Sequence, residues 1–221
     1  MKNEKGFTLI ELLVAMLVAG IVMAGVYSAY YSQQKSFVVQ DELAEMQQNL
    51  RAAMFFMAKE IRMAGCNPTG SANAGIEDDS TANTIHFTMD LRGKDPNSVA
   101  DGDTGDPGEN ITYTLADLNG DGIMEIVRDT GSGQEMVAEN IDALHFDYLK
   151  EDGTTTTDRL LMRSVQITIV ARTGRGDLGY VDNETYYDLQ DPKNAIFGPA
   201  GDNFRRRRLA TNIKCRNLGL L

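Results

Sequence analysis

At 221 residues the chain is long enough for one core of ordinary size plus an appendage. Thirty-two acidic residues against 21 lysines and arginines leave a formal charge of −11. Phosphates would be repelled over most of such a surface, which argues against a general nucleic-acid binder. The only two cysteines, Cys66 and Cys215, lie far apart and lack the C-x-x-C spacing of a zinc or redox site.

From Phe7 to Gln34 the only charged residue is Glu11. Lys2 and Lys5 make a basic start, and an apolar stretch then runs from Phe7 to about Ala29. That is longer than the about 7–15 apolar residues of a secretory signal, and bulky Tyr27, Tyr30 and Tyr31 stand where a small-residue cleavage site would fall. About 20 apolar residues suffice to cross a bilayer. The lysines predict a cytoplasmic N-terminus, with the C-terminal part outside and the tyrosines at the outer interface. A carboxylate inside such a helix is disfavoured by roughly 2–4 kcal/mol near the bilayer centre, less near an end. Glu11 therefore sits at the cytoplasmic interface or has a partner.

The run Gly6-Phe7-Thr8-Leu9-Ile10-Glu11-Leu12-Leu13 closely resembles the type IV prepilin family. The resemblance implies cleavage by a membrane prepilin peptidase between Gly6 and Phe7 and N-methylation of Phe7 by the same peptidase/N-methyltransferase. Glu11 matches the glutamate that, in this family, pairs with the N-terminal amine of a neighbouring subunit. A buried pair is tolerable where a lone buried charge is not. Small residues (Ala15, Ala19, Gly20, Ala24, Gly25) allow close helix approach in a filament core, although ordinary membrane helices carry them too. The first proline is Pro68, so the kink that proline introduces in many major pilins is not expected.

After Tyr31 the pattern turns amphipathic. Leu43, Met46, Leu50, Ala53 or Met54, Met57, Ile61 and Ala64 recur at steps of three and four, with Asp41, Glu42, Glu45, Gln48, Arg51 and Lys59 on the other faces. Gly65 and Asn67-Pro68-Thr69-Gly70 then stop the helix. A helix from Phe7 to Ala64 would be about 87 Å long, more than one small domain buries. The stretch from Gln48-Asn49-Leu50-Arg51-Ala52-Ala53 through Glu60-Ile61-Arg62-Met63-Ala64-Gly65-Cys66 is similar to the PilW-type minor pilins, with the J-type pseudopilins of type II secretion next in likeness.

Beyond Pro68, strands are predicted at Thr84–Leu91, Ile111–Leu115, Ile123–Val127, Ile141–Leu149, Leu160–Ala171 and Arg208–Arg216. Two connections, Gly93–Asn110 and Thr173–Asn203, are longer than usual and are expected to be functional or mobile. Asp117-Leu118-Asn119-Gly120-Asp121-Gly122 places oxygen ligands at alternate positions before a glycine, with Glu125 as a further ligand for calcium. Arg128 at the twelfth position excludes an EF-hand, and a plain turn needs the same residue types. Calcium at Asp117, Asn119, Asp121 and Glu125 is one open reading, and no other cofactor is expected. Asp101-Gly102-Asp103-Thr104-Gly105-Asp106 reads more simply as an acidic flexible loop.

A Cys66–Cys215 disulfide would tie the last strand to the helix end and contribute about 5 kcal/mol in the chain-entropy model; free buried thiols are the alternative. Arg205–Arg208 is the one basic run, and a structural or subunit-contact role fits it better than nucleic acid. His86 and His145 fall within predicted strands, with no nucleophile motif, phosphate loop or H-E-x-x-H nearby, so no enzyme is expected.

The expectation is an α+β protein of the type IV pilin fold, a long N-terminal helix packed on an antiparallel sheet. Its parts are a leader (residues 1–6), a membrane and filament-core half-helix (7–31), an amphipathic half-helix (32–65) and a periplasmic β-rich domain (66–221). The resemblance implies a minor pilin near the filament tip that primes assembly, with other pilins and the inner membrane as partners and the pilus, periplasm or cell surface as destination. The alternatives are a J-type pseudopilin and a calcium-dependent adhesin module.

Overall fold

The computed structural model describes residues 6–95 and 98–219; Lys2 and Lys5, in the expected leader, lie outside them. One helix, α1 (Leu9–Ile61), runs unbroken for 53 residues. Its start is a capping box: the Thr8 amide and hydroxyl donate to Glu11 Oε2 at 2.8 and 2.7 Å, and the Glu11 amide donates back to Thr8 Oγ1 at 3.3 Å. Tightened turns follow Ile61, with Met63 N–H donating to Glu60 O and Ala64 N–H to Ile61 O. Gly65 then takes a left-handed φ of 76°, the usual helix stop. Its amide donates to Thr88 O, which ties the helix end to the first strand.

The chain divides into two units, Met1–Glu42 and Leu43–Leu221. In the first, every residue from Gly6 to Val38 is exposed. In the second, α1 buries Met46, Leu50, Ala53, Met54, Met57, Ala58 and Ile61, followed by Ala64, which is the apolar stripe expected from the spacing.

Three antiparallel sheets complete the second unit. The first has the order β1 (Ile85–Thr88), β2 (Asn110–Ala116), β3 (Glu125–Asp129), β4 (Gln134–Ala138). The second is β5 (Ile141–Leu149), β6 (Ser164–Arg172) and β9 (Arg206–Lys214), and the third is the short pair β7 (Tyr186–Tyr187) and β8 (Ala195–Phe197). One core joins the helix stripe to Ile85, Phe87, Tyr113 and Ile126 of the first sheet and to Phe146, Val165, Ile167, Ile169 and Ile213 of the second. The molecule is thus α+β, with a long N-terminal helix and antiparallel sheets.

A polar clamp reinforces this packing. Glu60 receives a bidentate pair from Arg128, Nη2 to Oε1 at 2.8 Å and Nε to Oε2 at 3.0 Å, and also the Tyr113 hydroxyl. Tyr113 and Arg128 stand opposite each other on β2 and β3, so one helix carboxylate grips two strands.

The structure revises several predicted boundaries. The strand expected at Ile123–Val127 begins only at Glu125, because Asp117–Ile123 is spent on a turn whose side chains bond the backbone. The strand expected from Leu160 begins at Ser164, after a single 3-10 turn at Arg159–Leu161 capped by Asp158. The last strand starts at Arg206 and ends at Lys214, leaving Cys215 just beyond it. The segment Thr173–Asn203, expected as a loop, contains β7 and β8. Asp188 and Gln190 from it close over the second face of β5 and β6: the Gln190 side chain donates to Gln166 Oε1 at 2.8 Å, and Asp188 Oδ2 lies 3.4 Å from His145.

Candidate functional site, the N-terminal segment

Gly6, Phe7 and Thr8 precede α1 in exposed chain without regular secondary structure, Phe7 being 91% exposed. An exposed, non-helical Gly6–Phe7 bond is what a processing enzyme needs to bind. Glu11 lies in the first turn of α1, where the cap bonds from Thr8 both fall on Oε2. A carboxylate offers about four acceptor positions, so Oε1 still has capacity for a cation. From sequence, Glu11 is a charge that sits at the cytoplasmic interface or needs a partner. The Thr8-x-x-Glu11 spacing was the overlooked signal that it also closes the helix start. Beyond it, Leu9, Ile10, Leu12, Leu13, Val14, Leu17, Ile21 and Val26 all face outward, on a helix long and apolar enough to cross a membrane.

The structure does not form the Cys66–Cys215 bond expected from sequence; both are free thiols. Cys215 is buried in the core, which pushes its thiol up to about 12, while half-buried Cys66 is raised by burial and by the charges of Asp90 and Glu109.

In the turn read as a calcium loop, Asp117 Oδ1 accepts the Gly120 and Asp121 amides and Oδ2 accepts the Gly122 amide at 2.9 Å. Asn119 Oδ1 accepts the Asp121 amide, Asp121 Oδ1 that of Ile123, and Glu125 Oε2 that of Leu118. Asp117, Asp121 and Glu125 do converge, within 4.8 Å of one another, with both oxygens of Asp117 and one each of Asp121 and Glu125 accepting backbone amides.

Of the four arginines, Arg206 is turned inward. Its Nε contacts Asp142 Oδ2 at 2.6 Å, Nη1 contacts Asp182 Oδ2 at 3.1 Å and Asp202 Oδ1 at 2.6 Å, and Nη2 contacts Asp202 Oδ2 at 2.7 Å. Burial disfavours its charge, but Asp202 and Asp142 outweigh that and raise its pKa. Arg205 pairs with Asp177 and stacks on Tyr180, and Arg208 donates to Tyr187 O. The basic run thus fastens the long 173–203 segment.

His86 bonds Asp79 and Asn110, at 2.7 and 2.8 Å. His145 is buried with Nε2 3.5 Å from Asp147 and 3.4 Å from Asp188. Both histidines are engaged with carboxylate or amide side chains.

Residues 1–27 match the family model described as the prokaryotic N-terminal methylation motif. No curated protein matches the chain significantly. Among solved structures, the type IV-like pilin TTHA1219 from Thermus thermophilus is similar with a TM-score of 0.46 and 12% identity, over 78% of this chain and 97% of that one. The chain therefore carries an N-terminal methylation motif at the head of a long apolar helix, in an α+β protein.

Proposed function

We propose that the chain is a type IV pilin-like filament subunit of the PilW minor-pilin type. A prepilin peptidase cuts it between Gly6 and Phe7, Phe7 is N-methylated, and the helix anchors it in the bacterial inner membrane with the β-rich part outside. It then enters a filament near the tip and helps to prime assembly, a structural rather than catalytic role.

One observation carries this reading: the methylation motif leads a helix whose residues from Gly6 to Val38 are all exposed. A buried Leu, Ile or Val side chain gains roughly 1.5–3 kcal/mol over an exposed one. A row of such side chains in water calls for a bilayer, and later for neighbouring helices. Oε1 of Glu11 supports the second step, since the Phe7 amine freed by cleavage of one subunit is the cation it needs in the next.

Gly6→Ala tests the first step. Leader removal is expected to stop, so that the subunit stays in the membrane with Lys2 and Lys5 attached. Wild-type-like processing of this variant would count against Gly6–Phe7 as the cut.

A further inference from the structure

Three buried carboxylate oxygens lack a hydrogen-bond partner among the described residues: Asp90 Oδ1, Asp106 Oδ2 and Glu109 Oε2. Asp90 and Glu109 are fully buried, and Asp106 is 5% exposed. A buried carboxylate oxygen left without a donor is costly for a fold to hold. Here three such oxygens occur in one neighbourhood.

The chain brings them together. Asp101-Gly102-Asp103-Thr104-Gly105-Asp106 leads directly into β2, and one ligand atom from each of Asp101, Asp103 and Asp106 lies within 4.8 Å of the others. Glu109 Oε1 accepts the amides of Leu91 and Arg92 at 2.6 and 2.7 Å, which leaves Oε2 unpartnered. Asp90 follows β1, and its Oδ2 accepts Thr69 Oγ1 at 2.9 Å, leaving Oδ1 in the same condition. Gly102, with φ 96°, packs so closely on Ser71 that a Cβ would overlap its hydroxyl, which seats the Asp101–Asp103 turn beside Thr69 and Asp90.

We propose that Asp101, Asp103 and Asp106 form a calcium site, with Glu109 and Asp90 behind them. The donors are all oxygen and mostly charged, which suits a hard divalent cation and not zinc or copper. Asp101 and Asp103 are exposed and give the ion a way in. Calcium takes 6–8 oxygens in irregular geometry, whereas magnesium demands a small octahedron and keeps its waters, so a loop of several carboxylates favours calcium. Asp101 Oδ1 and Asp103 Oδ1 each accept one backbone amide, as the carboxylates of the Asp117 turn do, but that turn has no buried carboxylate oxygen left without a partner among the described residues. This inference is independent of how the N-terminus is processed.

The test is calorimetric titration of the chelator-treated full chain in detergent micelles with calcium chloride, alongside thermal melting. Saturable binding is expected with a Kd at or below about 1 mM, together with an upward shift of Tm by several degrees and weaker binding of magnesium. Asp106→Asn and Asp103→Asn should each weaken that binding by about tenfold or more, and Asp121→Asn should leave it in place. Exposed Asp103 keeps the test decisive should Asp106→Asn fail to fold. Absence of binding heat and of any Tm shift up to about 10 mM calcium overturns the proposal. So does binding that survives in Asp103→Asn and Asp106→Asn but disappears in Asp121→Asn.

Discussion

Arg206 belongs to a run of four arginines that reads as a basic surface, yet its side chain is 1% exposed and encircled by Asp142, Asp182 and Asp202. Removing one member of a buried, hydrogen-bonded ion cluster typically costs about 3–5 kcal/mol because the others are left uncompensated. Arg206→Ala is expected to lose stability of that order in denaturant unfolding of the full chain in micelles. Arg206→Lys should recover little, since an ammonium cannot replace a fork that reaches three carboxylates. A loss below about 1 kcal/mol would show the cluster to be solvated instead. His145 makes a second residue-scale case. Its hydrogen bond to Asp147 raises its pKa above 6.5, burial opposes this, and the charges of Asp147 and Asp188 add to it. A group raised on folding stabilises fully below its unfolded value and loses that contribution as pH rises through the folded value. With chelator present, Tm is expected to fall as pH rises above 6.5, and His145→Gln should flatten the slope; an unchanged slope in the variant would assign it elsewhere. Neither partnership was legible in sequence, because Asp182, Asp188 and Asp202 come from a segment whose course no local pattern encodes. The motif that holds Gly6, Phe7 and Glu11 was legible because it is local and fixed by spacing.

At the scale of elements, the helix was the most readable part. Its stripe from Met46 to Ala64 follows the 3.6-residue period, and Gly65 marks its end. Strand β5 was equally plain: Ile141, Leu144, Phe146, Tyr148 and Leu149 mark the run, and the strand has the predicted bounds. The strands that escaped have little apolar content or are very short. In β4, Gln134, Glu135 and Met136 are exposed at a sheet edge, and a register shift between Ile126 and Val127 breaks its alternation. Strands β7 and β8 have only two and three residues, and the tertiary contacts of Tyr186 and Phe197 specify them instead. The clamp on Glu60 needs the helix, β2 and β3 together, so it too was invisible beforehand. Glu60→Gln keeps the shape but removes the charge from a half-buried bidentate pair, and a loss of about 1–3 kcal/mol is expected in the same unfolding assay. A loss indistinguishable from zero would mean that the apolar stripe alone holds the helix to the sheets.

At the scale of the molecule, the two units obey different solvents. The second encloses a continuous core of helix and sheet residues, with its polar groups mostly paired. The first leaves its apolar side chains outward, and its first turn ends in a carboxylate with a spare oxygen. The proposed subunit is made to change surroundings, from bilayer to bundle, and Glu11 belongs to the second state. Glu11→Ala is therefore expected to be processed normally but to enter filaments poorly, as measured by subunit abundance in sheared filament fractions; unchanged incorporation would contradict the pairing role. The central claim, a prepilin-type cut ahead of the helix, is tested most directly by the intact mass and N-terminal sequence of the subunit from the cells that make it. The expected product begins at Phe7, lacks residues 1–6 and carries one methyl group on its terminal amine. A product retaining residues 1–6, or beginning beyond Ala29, would contradict it.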